Sequence, residues 1–175
     1  MDNDEVPVRT SAMSLIKKCK KITRFFNTST KAMAQLRKEL EKRPNCNIQN
    51  VIQEVSTRWN STFLMLERIS AIIDEINIVL LRVKHNVEFL NRDEIAALPR
   101  VVNVLRPIYE ATICLSSTNF VSVSQIIPTV KGMKLIIRAL KEEADSQSRI
   151  ATDLADSLLA SFTKLDDYEK NTLAR

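Results

Sequence analysis

A single glycine, Gly132, serves all 175 residues. Tight turns and sheet connections need positions that tolerate positive φ, and glycine is the residue that supplies them cheaply. With one glycine and five prolines, the chain reads as helices joined by short polar links. Hydrophobic residues make up 45% and charged residues 27%, enough apolar side chains for a buried core under a charged surface.

The apolar spacing fills in that outline. From Ala12 to Phe26, the residues Leu15, Cys19, Ile22 and Phe26 recur at helical intervals on one face, with Lys17, Lys18, Lys20, Lys21 and Arg24 largely off it. The link Asn27-Thr28-Ser29-Thr30 can cap a second helix from Lys31 to Lys42, with Met33, Leu36 and Leu40 inward. Pro44 and Asn45 stop it. Residues 48–55 carry Ile48, Val51, Ile52 and Val55, and this short β-branched run predicts a strand. A lone strand cannot satisfy its backbone groups, so its partners are expected outside the chain.

The longest apolar stripe follows. Trp59, Thr62, Leu66, Ile69, Ile73, Ile76, Leu80 and Val83 step by three and four without interruption. They predict one helix of about seven turns. Asn91 and Glu94 have the spacing of a capping box. The helix they open shows Leu98, Val101, Leu105, Ile108, Thr112 and Leu115 on one face. Pro99 is expected in its first turn, and Pro107 is expected to kink or divide it, because proline lacks the backbone donor. Ser122 with Gln125 predicts another cap, before Ile126, Val130, Met133, Ile137 and Leu140. A last helix over 147–167 carries Ala151, Leu154, Leu158, Phe162 and Leu165.

Charge is unevenly placed. Between Arg9 and Arg43 there are eleven Lys or Arg against two acids, a net +9 within a whole-chain net charge of +5. Such a segment is either a polyanion-binding footprint or a solvated helix face. The acidic, polar start does not suit a signal peptide, and no apolar run approaches the roughly 20 residues of a membrane span. Cys19, Cys46 and Cys114 are odd in number and widely separated, without zinc-type spacing; a reducing, intracellular setting is the simple reading. Cys19 and Cys114 fall in apolar patterns, as packed thiols do. The sole histidine, His85, reads as a helix-end or surface residue. Gly-rich phosphate loops, nucleophile elbows and paired metal-ligating histidines do not occur. Adjacent acids such as Asp74 with Glu75, or Asp166 with Asp167, do not converge on one helix face.

Arg58-Trp59-Asn60 is the remaining constellation. Trp59 falls in register with the apolar stripe and so reads as core. It also lies in the first helical turn between two residues able to contact phosphates or bases, which suits stacking on an unpaired base.

Here the sequence resembles a known family. The stretch VIQEVSTRWNSTFLMLERI is similar to the Thr-Arg-Trp-Asn-Ser-Thr segment of hAT-superfamily DNA transposases and their domesticated relatives with BED-type zinc fingers. LRPIYEATICLSSTNFVSVSQIIPTVKGM looks like a second hallmark of that family, in the right order. The chain departs at Glu54, where many relatives carry Asp; the extra methylene moves the charge relative to Arg58. The resemblance implies a mainly α chain, a long-helix bundle like the all-α insertion of a ribonuclease-H-like transposase, preceded by two basic helices and one strand. It divides the chain into a disordered start (1–10), a partial ribonuclease-H-like segment (11–56) and an insertion domain (57–175).

The resemblance further implies that the family's two metal-holding Asp residues lie upstream and its Glu downstream. The chain alone is therefore expected not to be an enzyme, with no catalytic residue, no metal ligand and no cofactor. DNA is the expected partner and the nucleus the expected location, with no membrane association. The expected DNA contacts are Arg58, Trp59, Asn60, Lys17, Lys18, Lys20, Lys21 and Arg24. Homo-oligomerisation stays open, because the family's dimerisation segment is missing. The alternative is a helical protein–protein interaction module with no role on DNA.

Overall fold

The computed structural model describes residues 11–43, 59–117, 123–144 and 148–173. Among them the chain is helical throughout, in the order α1 (Ala12–Thr28), α2 (Thr30–Glu41), α3 (Trp59–Ala71), α4 (Ile73–Arg82), α5 (Arg92–Ser117), α6 (Val123–Ala144) and α7 (Arg149–Leu173). The strand expected over 48–55 lies outside the described residues, as do the expected disordered start and the Ser122 cap.

Ser11 opens α1, its hydroxyl accepting from the Ser14 N–H at 3.3 Å. Ser29 does two jobs at once. Its N–H donates to the Phe25 carbonyl at 2.9 Å, closing α1, and its hydroxyl accepts from the Ala32 N–H at 3.2 Å, opening α2. A polar side chain that caps the second helix thus replaces the glycine such a corner often uses.

The stripe from Trp59 to Val83 is two helices rather than one. Ile72 has φ −128° and ψ 24°, outside helical geometry. Its N–H reaches back three residues to Ile69, and its carbonyl accepts from Ile76. Arg43 donates to the Ala71 carbonyl at 2.8 Å, so the last carbonyl of α3 has a partner at the break. Asp74 and Glu75 stand in the first turn of α4, where the helix dipole favours negative charge. Ile69, Ile72 and Ile76 are all fully buried, so both halves face one core. The three-and-four spacing therefore survives a break of one residue.

α5 corrects the place expected for Pro99 and removes one of the two alternatives for Pro107. Asn91 caps it, so Pro99 is in the eighth helical position rather than the first turn, and Pro107 does not divide it. The helix packs along its length on α3, α6 and α7 and touches α1. Those contacts offset the backbone hydrogen bonds the two prolines remove. α7 also runs past its expected end.

One apolar cluster joins the helices. α1 gives it Leu15, Cys19, Ile22 and Phe26, and α2 gives Leu36 and Leu40. Phe63, Leu66 and Ile69 enter from α3, and Ile76 and Leu80 from α4. Leu98 and Val101 come from α5, Ile137 from α6, and Ala151 and Ala155 from α7. The cluster crosses position 57, so the residues on its two sides do not have separate cores among the described residues. Between α3 and α5, Phe63 stacks on Tyr109 with centroids 4.4 Å apart. Arg106 lies over the Phe63 ring and pairs with Glu67 at 2.9 Å. α2 is tied to α4 by Arg82 with Glu39, and Arg43 just beyond α2 pairs with Glu75. Lys141 and Asp156 bridge α6 and α7 at 2.7 Å.

Candidate nucleic-acid interface

The run Lys17-Lys18-Cys19-Lys20-Lys21 covers more than one turn of α1, so its side chains must point in different directions. Cys19 enters the core with Leu15 and Ile22. Lys17, Lys21 and Arg24, spaced four and three apart, form an exposed ridge on the opposite side. Lys20 is half-buried and already engaged with another group.

Lys18 turns away from that ridge toward the start of α5. Its side chain is only 17% exposed and its Nζ lies 3.1 Å from Glu94 Oε1 and 3.2 Å from Glu88 Oε1. It donates a hydrogen bond to Glu94 Oε2 at 3.2 Å. Glu94 is completely buried. The same carboxylate accepts from the Asn91 N–H at 2.8 Å, while Asn91 Oδ1 accepts from the Glu94 N–H at 2.7 Å. The expected capping box is present, and a lysine from another helix completes it. Burial opposes the charge on Lys18, but its hydrogen bonds and charge attraction to Glu94 and Glu88 prevail and raise its pKa. Burial, reinforced by the Glu94 charge, pushes the Cys19 thiol up to about 12.

Beside Lys18, the link between α4 and α5 lies along the edge of α1. His85 contacts Phe25 of α1 (centroids 5.9 Å) and Phe89 (5.2 Å, edge to face). Phe25 in turn meets Phe26 edge-on at 5.4 Å. His85 Nδ1 accepts from the Val87 N–H at 3.1 Å, which folds the link back on itself. His85 is therefore half-buried among rings rather than a plain helix-end residue. Phe89 keeps 38% of its surface exposed.

The structure does not bring all eight expected contact residues onto one surface. Lys17, Lys21 and Arg24 share the ridge; Lys18 is withdrawn into the ion-paired edge. Arg58 and the side chain of Trp59 lie outside the described residues. Asn60 is half-buried, and its Oδ1 is buried with no hydrogen-bond partner among the described residues. The aromatic line of Phe25, His85 and Phe89 is missed by spacing alone. Phe25 lies just off the main apolar stripe, and the other two sit in a link without periodicity. Among the described residues no three His, Cys, Asp or Glu side chains gather as a metal site. No helix among them is long and apolar enough to cross a membrane.

A family model described as the ZBED1 RNase-like helical domain matches residues 8–104, more than half the chain. The chain belongs to this family. The match runs from just before α1 into α5 and so includes the Lys17–Lys21–Arg24 ridge, the Lys18–Glu94 anchor and the Phe25–His85–Phe89 line. Human zinc finger BED domain-containing protein 4 is similar at 28% identity over 174 residues, covering 91% of this chain. The chain spans only 14% of that relative's length. No solved structure matches. The ZBED1-type helical domain is thus a relative of hAT-derived BED zinc-finger proteins, as the Arg-Trp-Asn-Ser segment suggests.

Proposed function

We propose that this ZBED1-type helical domain is a non-catalytic part of a hAT-type transposase or domesticated derivative, and that it contacts DNA in the nucleus without sequence preference. The reading rests chiefly on the exposed Lys17–Lys21–Arg24 ridge. Three cations at helical spacing, turned to solvent on a rigid element, can follow a phosphate backbone, whereas nothing in such a ridge reads base edges. The division of the chain into a ribonuclease-H-like part before position 57 and an inserted part after it is retained as a statement of ancestry. Arg58, Trp59 and Asn60 belong to the same proposal as a second contact point, in which an indole meets a base at a cleaved DNA end. On its own the domain neither cuts nor joins DNA.

The test is a binding titration of the 175-residue chain with a labelled duplex of arbitrary sequence across a range of salt. Binding should weaken steeply with salt, with a log–log slope of about −0.9 per phosphate neutralised. Replacing Lys17, Lys21 and Arg24 together by Gln should flatten the slope by about two to three. Absence of binding at low salt, or a slope unchanged in that variant, would falsify the reading.

A second reading has its own support. Ile113 on α5 and Ile126, Leu135 and Ile136 on α6 are exposed, Leu135 by 65%. A helical module that docks a protein would present such side chains. A concentration-dependent dimer in sedimentation, with no duplex binding at low salt, would favour it over contact with DNA.

A further inference from the structure

We infer that the edge of α1 facing the α4–α5 link is a stacking shelf for an unpaired nucleotide, with Phe89 as its outer ring and Lys17, Lys21 and Arg24 as its phosphate rail. This deepens the proposed function and rests on it.

Three observations argue for ring and rail on one edge. Phe25 and Lys18 lie on the same side of α1, seven residues apart, and Lys21 is the next position round the helix toward solvent. Glu88, the residue before Phe89, is held by Lys18 Nζ at 3.2 Å. His85 is packed on Phe25 and meets Phe89 edge to face. Phe89 thus stands on a fixed base beside the cationic ridge, rather than at the tip of a loose loop, and its surface stays 38% open. Lys84, also exposed, adds a cation from the link itself.

Non-specific single-strand binders combine these two elements, a charged track for the backbone and an aromatic face for the bases. A duplex offers phosphates but keeps its bases stacked inside, so only an unpaired strand can use both. Glu88, the acid next to Phe89, is exposed at 64% and shares the Lys18 ammonium with Glu94. That pairing also explains why Lys18 is no part of the rail: it fixes the link on which the ring is mounted.

The test compares the whole chain with Phe89→Ala, Phe89→Tyr and the Lys17→Gln/Lys21→Gln/Arg24→Gln variant, each checked for unchanged helicity. Fluorescence anisotropy is read with an oligo-dT strand, an oligo-U strand and a duplex of equal length. Phe89→Ala should weaken single-strand binding at least about fivefold, the lower end of base-on-ring stacking, and alter duplex binding less than about twofold. Phe89→Tyr, which keeps the ring, should bind as the unaltered chain does. The triple variant should weaken every ligand. Relative affinities for oligo-dT and oligo-U tell whether the strand is DNA or RNA. Single-strand binding unaltered in Phe89→Ala, or lost equally with duplex binding, overturns the shelf; duplex binding that still depends on the ridge would leave the proposed function standing. No binding of any strand overturns both.

Discussion

Lys17 and Lys18 are adjacent in sequence and carry the same charge, yet they lie on edges of α1 with different surroundings. Lys17 faces solvent with Lys21 and Arg24. Lys18 crosses to α5, where it meets a carboxylate that is fully buried and already committed to a helix cap. A run of lysines is therefore not one patch. About 100° of rotation per residue separates a side chain that can serve an external anion from one that helps hold the helices in place.

That contrast can be broken first at Glu94. Glu94→Ala removes the reciprocal cap and leaves Lys18 without its buried partner. It should lower unfolding stability by about 2–4 kcal/mol in a urea titration. Lys18→Met probes the same edge from the other side: it leaves the buried Glu94 carboxylate with only the Asn91 N–H as a donor, and a loss of about 2–4 kcal/mol is expected. Lys17→Gln on the other edge should stay within about 0.5 kcal/mol of the unaltered chain. Equal losses for Lys17 and Lys18 would erase the distinction.

The pH response sharpens it. The pKa of Lys18 is raised by its carboxylate partners. Its contribution is complete below the ordinary lysine pKa and is lost as pH climbs through the raised folded value. Cys19, pushed up to about 12 by burial, acts in the same direction, because the unfolded chain releases that proton at lower pH. Stability should therefore decline on the alkaline side, from about pH 8, where an unfolded thiol begins to ionise. Glu39 acts in the opposite direction. Hydrogen bonds from Lys42 and then Arg82 hold its carboxyl below the usual range, so its contribution is present above the ordinary Glu pKa and lost as pH falls through the lowered one. Urea midpoints measured across pH should show both flanks, and Lys18→Met should reduce the alkaline one. A smaller effect separates the thiols. Under native conditions near neutral pH, a maleimide should label exposed Cys114 and spare buried Cys19 until the chain unfolds, as read by peptide mass mapping.

The helical character of the chain was legible because a single glycine leaves few other options, and because apolar spacing agrees with the Ser cap at α2 and the Asn cap at α5. Spacing could not reveal the break at Ile72, since both halves bury residues in the same core and the register persists. It left Pro107 to kink or divide the helix, and α5, packed on its neighbours, continues undivided past it. The basic ridge was visible as composition, but its division was not. Lys18 is assigned by Glu88 and Glu94, about 70 residues further along the chain, and no local rule of helix spacing connects them. Phe89 was invisible for a related reason: a ring in a link gains meaning only from the helix edge it lies beside.

The most direct test measures folding and duplex binding together on two single variants, Lys18→Gln and Lys21→Gln. Lys18→Gln should lose stability while keeping its duplex affinity and salt slope. Lys21→Gln should keep its stability while its affinity drops and its slope falls by about one. If both variants lose affinity to the same degree with stability unchanged, the two edges of α1 are equivalent and the account is wrong.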